Sequence, residues 1–142
     1  MSEHPSKVLA RLEQNAKKRF GQNFLVHSKS LDRIATLAGA GPDTRIIEIG
    51  PGLGALSRTL LDRGALVRAV EIDRDLVAFL EAELPDLELI CGDALQVDWS
   101  TVADGEGWIV CANLPYNVAT AIVTHLVTLS PRFTRLVLMF QL

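Results

Sequence analysis

Residues 44–64, TRIIEIGPGLGALSRTLLDRG, constrain the fold more than any other stretch of this chain. A short β-branched run stops at glycine, two more glycines follow at alternate positions (Gly50, Gly52, Gly54), and Leu56, Leu60 and Leu61 then recur at helical spacing. Glycine lets the backbone turn with φ above zero and lets a ligand come close to it. A strand that runs through such a turn into a helix is the first half of a βαβ unit.

The alternation continues downstream. ALVRAVEID (65–73) predicts a strand, RDLVAFLEAEL (74–84) a helix stopped by Pro85, and LELICGD (87–93) a strand. GWIVCANLPY (107–116) predicts a strand entering a loop, VATAIVTHLVTL (118–129) a helix ended near Pro131, and RLVLMF (135–140) a last strand. Upstream, SKSLDRIATLAGAG (28–41) reads as a helix. Ser28 or Ser30 can cap it, Leu31, Ile34 and Leu37 form its apolar face, and Gly39 or Gly41 stops it. Strands separated by helices require right-handed crossovers and therefore a parallel sheet. The expected class is α/β, an open, mostly parallel sheet with helices on both faces. No helix follows the fifth strand, which reads as a truncation.

Composition narrows the class. The chain has 142 residues, 49% hydrophobic and 22% charged, as expected of one soluble domain. It lacks the ~18 consecutive apolar residues of a membrane span and the apolar core of a secretory signal, so a cytoplasmic location without membrane is expected. Net charge is −3, yet residues 1–19 carry five basic groups (Lys7, Arg11, Lys17, Lys18, Arg19) against Glu3 and Glu13. The expected organisation is a basic N-terminal arm, 1–19, on an acidic domain, 20–142. Such an arm can reach phosphate despite the total charge. Cys91 and Cys111 show no metal-ligand spacing, so no metal is expected; both read as buried, reduced thiols.

In an open parallel sheet, ligands lie beyond the carboxyl ends of the strands. Four of those ends carry candidate residues. The turn at Gly50 and Gly52 suits nucleotide cofactors of several kinds, but Pro51 has no backbone N–H to offer a phosphate. Glu71 ends the second strand, where an acid accepts hydrogen bonds from a ribose diol, with Ile72 beside it. Asp73 is placed to cap the next helix. Asp93, followed by the small Ala94, can accept from an exocyclic amine. Asn113 offers an acceptor and two donors to an amino group on a ring, Pro115 fixes nearby carbonyls, and Tyr116 can stack on a π-face. Taken alone, that last stretch reads equally as a turn capped by Asn117 or Thr120.

Five motifs then come in one order: GQNFL (21–25), EIGPGLG (48–54), VEID (70–73), GDAL (92–95) and NLPYN (113–117). From about Lys17 onward the chain resembles the ribosomal RNA small-subunit adenine dimethyltransferases of the KsgA/RsmA type. The resemblance implies a Rossmann-like methyltransferase fold with S-adenosylmethionine as cofactor and S-adenosylhomocysteine as product. It implies N6,N6-dimethylation of two adjacent adenosines near the 3′ end of small-subunit rRNA, with a small-subunit precursor as partner. Carried over by motif, Asn23 and Leu25 would touch the cofactor and Gln22 would order that lid. Gly50 and Gly52 would approach its methionine part, Glu71 with Ile72 would hold the ribose, and Asp93 with Ala94 the adenine. Asn113 would touch both cofactor and target. Asn113 and a carbonyl near Pro115 would hold the target amine, while Tyr116 stacks on its ring. A sulfonium is already a strong methyl donor, so alignment and water exclusion suffice, and His27 and His125 read as structural or exposed.

The sequence departs from the family's pattern in two places. His27 stands where the family usually has Asp. The family also continues through two more strands and a small helical domain, so the fragment is expected to methylate rRNA poorly or not at all. A dinucleotide dehydrogenase, a large-subunit (23S) rRNA adenine methyltransferase and a non-catalytic RNA-binding or assembly module are the alternatives.

Overall fold

The computed structural model describes residues 7, 10, 11, 28–129 and 131–141. The expectations placed on Gln22, Asn23, Leu25 and His27, and on most of the basic arm, lie outside the described residues. The described elements alternate as the sequence predicts: α1 (Ser28–Ala38), β1 (Arg45–Ile49), α2 (Ala55–Asp62), β2 (Leu66–Glu71), α3 (Arg74–Glu83) and β3 (Glu88–Cys91). A short α4 (Trp99–Val102) follows, then β4 (Trp108–Pro115), α5 (Tyr116–Val127) and β5 (Phe133–Gln141).

All four strand pairings are parallel, in the order β3–β2–β1–β4–β5. The chain therefore builds outward from β1 to β3, returns to the other side of β1, and continues outward to β5. The reversal between β1 and β4 is where the crossovers diverge and leave a crevice. Strands of a covered parallel sheet bury both faces and so read as continuous apolar runs. In β1, Ile46, Ile47 and Ile49 are all buried. Alternation divides the core in two layers: Ile47, Val70, Trp108, Val110 and Ile122 on one face, and Ile34, Ile46, Leu60, Val67 and Leu80 on the other.

The amino ends of the strands are fastened around Trp108, which is wholly buried. The guanidinium of Arg45 lies 4.5 Å from its ring centroid and that of Arg68 4.6 Å. The indole N–H donates to the Asp104 carbonyl at 2.9 Å, and Arg68 donates to Glu88 and Asp104 at 2.6 Å. One aromatic ring between two cations thus ties β1, β2 and β4 together at the end remote from the crevice.

Three expectations need correction. Leu37 is 54% exposed, and α1 instead buries Ile34, Ala35 and Ala38. At about 100° per residue Leu37 stands roughly 120° round from Leu31, off the packed stripe. Cys91 is exposed, whereas Cys111 is buried as expected; Cys91 ends a four-residue strand at the sheet's edge. Finally, α5 begins at Tyr116, two residues before the predicted start, because the strand stops at Pro115. Pro115 serves as the N-cap with φ −57° and no side-chain cap, so neither Asn117 nor Thr120 fills that role. The Thr120 hydroxyl instead donates to the Tyr116 carbonyl at 2.9 Å.

Candidate functional site

A cleft of about 290 Å³ opens over the carboxyl ends of β2, β1 and β4. Of the residues singled out from sequence, Gly50, Gly52, Glu71, Ile72, Asp93, Ala94, Asn113 and Pro115 all line it. Tyr116, next in the chain, does not line it; it opens α5 and is 54% exposed.

The glycine turn is shaped by backbone that other residues adopt with difficulty. Gly50, Gly52 and Gly54 have φ of 69°, 57° and 87°. A Cβ on Gly50 would stand 2.8 Å from Leu114 Cδ2, so the turn and the wall that carries Asn113 are in direct contact. The Gly50 amide donates to the Val70 carbonyl at 2.9 Å, continuing the β1–β2 ladder into the turn.

Glu71 is buried, with 4% of its surface exposed. Its Oε2 accepts from the Asp73 amide at 2.9 Å. Burial pushes its pKa up, partly offset by hydrogen bonds from the Asp73, Gly52 and Ile72 amides. Asp73 in turn caps α3, accepting from the amides of Asp75 and Leu76, as its position in VEID suggested. Asp93 follows β3, half-buried, and its Oδ1 accepts from the Leu95 amide at 2.9 Å. Among the described residues no hydrogen bond engages its Oδ2. Asn113 is half-buried near the end of β4, in register with Met139.

Among the described residues the lining holds two carboxylates and one carboxamide and no lysine or arginine. That set suits hydroxyls, amines and cations, and among the described residues it brings no cationic side chain to a phosphate. Leu76, Val118 and Ile122 supply apolar walls that the motifs did not reveal.

The sequence reading also passed over Glu48. It is 3% exposed and accepts from the Ser57 hydroxyl of α2 at 2.5 Å. Burial pushes its pKa up from 4.5 to about 7, the Ser57 bond works against that rise, and the nearby Glu71 charge adds to it. Glu48 pairs in register with Ala69 and with Cys111. Strand alternation puts its carboxyl on the α2 face, behind the glycine turn rather than in the cleft. A charged residue inside an apolar parallel strand was the signal that marked it.

Comparison with known proteins gives a consistent picture. The family model described as ribosomal RNA adenine dimethylase matches residues 13–142. A curated relative, ribosomal RNA small subunit methyltransferase A of Syntrophotalea carbinolica, is 45% identical over 92% of this chain and 50% of its own length. The crystal structure of the 23S rRNA methyltransferase ErmE superposes with a TM-score of 0.68 at 33% identity, over 78% of this chain and 45% of that one. A dimethyladenosine transferase from Plasmodium falciparum gives a TM-score of 0.69 at 28% identity, over 82% of this chain and 42% of that one. The chain thus spans about half the length of the curated relatives it matches. The order of its motifs, the reversal between β1 and β4 and the match over nearly the whole sequence lead to one conclusion: the chain belongs to the ribosomal RNA adenine dimethylase family.

Proposed function

We propose that the cleft binds S-adenosylmethionine and that the protein transfers its methyl group to the N6 atoms of two adjacent adenosines near the 3′ end of small-subunit rRNA. The observation that carries this reading is a lining whose charged side chains, among the described residues, are two carboxylates, beside an amide-bearing wall. A cationic cofactor with a ribose and an adenine matches two carboxylates, whereas a dinucleotide's pyrophosphate meets no cationic side chain among the described residues and, at Pro51, one backbone N–H fewer. Gly50 and Gly52 leave room for the methionine part, Glu71 takes the ribose hydroxyls and Asp93 the adenine amine. Gln22, Asn23 and Leu25 belong to the same reading as the cofactor's lid.

On the target side, Asn113 and the backbone near Pro115 hold the amine, and Tyr116 stacks on the adenine ring. When bound, the sulfonium supplies an electrophilic methyl group. The protein's residues orient the amine lone pair toward it and exclude water, and no general base is required. The small subunit is favoured over the large because the curated relative at 45% identity is a small-subunit enzyme, against 33% for the 23S enzyme. The precursor small subunit is then the partner and the cytoplasm the place of action. No helix among the described residues is long and apolar enough to cross a membrane.

Calorimetric titration of the chain with S-adenosylmethionine and with NAD tests the cofactor assignment. Binding of the first and not the second is expected, and tight NAD binding alone would refute it. In a chain of the relatives' full length, Asn113→Ala should leave rRNA binding intact and lower methyl transfer by about 100-fold or more. Unchanged transfer would remove Asn113 from the mechanism.

A further inference from the structure

The turn between β3 and α4 carries Asp93 and Ala94, and it is held in place from two sides. Above, the Gly92 amide donates to the Glu71 carbonyl at 2.9 Å. Within the turn, the Asp93 carbonyl accepts from the amides of Gln96 and Val97. Gly92 is packed so tightly that a Cβ there would lie 2.7 Å from Val97 Cγ1. Below, the Trp99 indole N–H donates to the Ala94 carbonyl at 2.9 Å, in a buried contact.

Trp99 is itself fixed. It is 3% exposed, and its ring meets Phe133 of β5 edge to face, with centroids 5.7 Å apart and planes at 86°. Asp98 caps the short helix that Trp99 begins. The indole is therefore a stiff post between the outer strand and the floor of the cleft.

We infer that Trp99 is a positioning residue for the adenine end of the cofactor site, acting through the Asp93–Ala94 turn that its indole N–H anchors. The inference rests on the cofactor reading proposed above. Trp99 does not line the cleft. Its effect is to set the height of Ala94 under the bound ring and the direction of the Asp93 carboxylate toward the exocyclic amine. A buried carbonyl that loses its donor pulls away toward water or another partner, and the carboxylate of the preceding residue, Asp93, moves with it.

Binding of S-adenosylhomocysteine to the full 142-residue chain is measured for wild type, Trp99→Phe, Phe133→Leu, Asp93→Asn and the double variant of Trp99→Phe with Asp93→Asn. Trp99→Phe keeps an aromatic ring for Phe133 and removes the N–H together with part of the indole's bulk; it should weaken binding about fivefold, and Phe133→Leu controls for lost packing. Phe133→Leu removes the ring contact and keeps the N–H; it should lower the melting temperature and leave affinity within a factor of two. In the Asp93→Asn background, Trp99→Phe should add less than a twofold loss, because residues that act through one another are not additive. Unchanged affinity in Trp99→Phe, equal losses in Trp99→Phe and Phe133→Leu, or a full fivefold loss in the Asp93→Asn background would each overturn the inference. A wild-type chain that binds no S-adenosylhomocysteine would overturn the cofactor reading itself and the inference with it.

Discussion

Replacing Glu48 by glutamine should make the folded protein more stable, by an amount that grows from about pH 4.5 and is complete above about pH 7. Glu48 is almost wholly enclosed, and its pKa rises from 4.5 to about 7, chiefly through burial. Between those values the folded chain keeps a proton that the unfolded chain releases. Stability contributed by the neutral carboxyl is thus present below about 4.5, falls as pH rises, and is gone above about 7. A shift of that size, at 1.36 kcal/mol per unit, corresponds to about 3 kcal/mol. Glutamine has the same shape, carries no charge, and its carbonyl can still accept from the Ser57 hydroxyl. Urea unfolding of both proteins at pH 5, 6, 7 and 8 measures the difference. The variant should gain up to about 3 kcal/mol at pH 8 and less than about 1 kcal/mol at pH 5. A gain of equal size at both pH values, or a loss at pH 8, would refute the argument that this buried carboxylate is destabilising there. An average domain has only about 5–15 kcal/mol in total, so the effect is well within reach of the assay.

Gly50→Ala should destabilise the chain by at least about 1–2 kcal/mol, because φ is 69° there. It should also weaken cofactor binding, since the new Cβ meets Leu114 at 2.8 Å; wild-type stability by urea unfolding would contradict the left-handed turn. Thiol titration of the native chain with an aromatic disulfide should modify Cys91 within minutes. Cys111, buried and with its pKa pushed up to about 12, should react only on unfolding, and two fast thiols in the native state would contradict the sheet order.

The order of elements was legible because it depends on local periodicity. Leucine spacing in 54–64, a β-branched run in 44–50 and an apolar run in 135–140, and stops at glycine and proline each act within one element. Four strand ends bearing Gly50, Glu71, Asp93 and Asn113 could also be assigned to one cleft from sequence, since parallel strands place their carboxyl ends together. The four-residue α4 escaped because it is shorter than a useful period. Leu37 escaped because three apolar residues at plausible spacing do not say which way the stripe turns.

The sequence by itself determined which stretches would be strands and longer helices, that the sheet is parallel, and which residues could face a ligand. These follow from properties carried by neighbouring residues. Only the tertiary structure decided that β3 is an edge, and so that Cys91 is exposed while Cys111 is not. It alone brought Glu48 to Ser57 across the glycine turn, Leu114 against Gly50, and the Trp99 indole beneath Ala94. Such contacts join separate segments through packing, and burial and pKa depend on what the rest of the chain places around a group rather than on its neighbours in sequence.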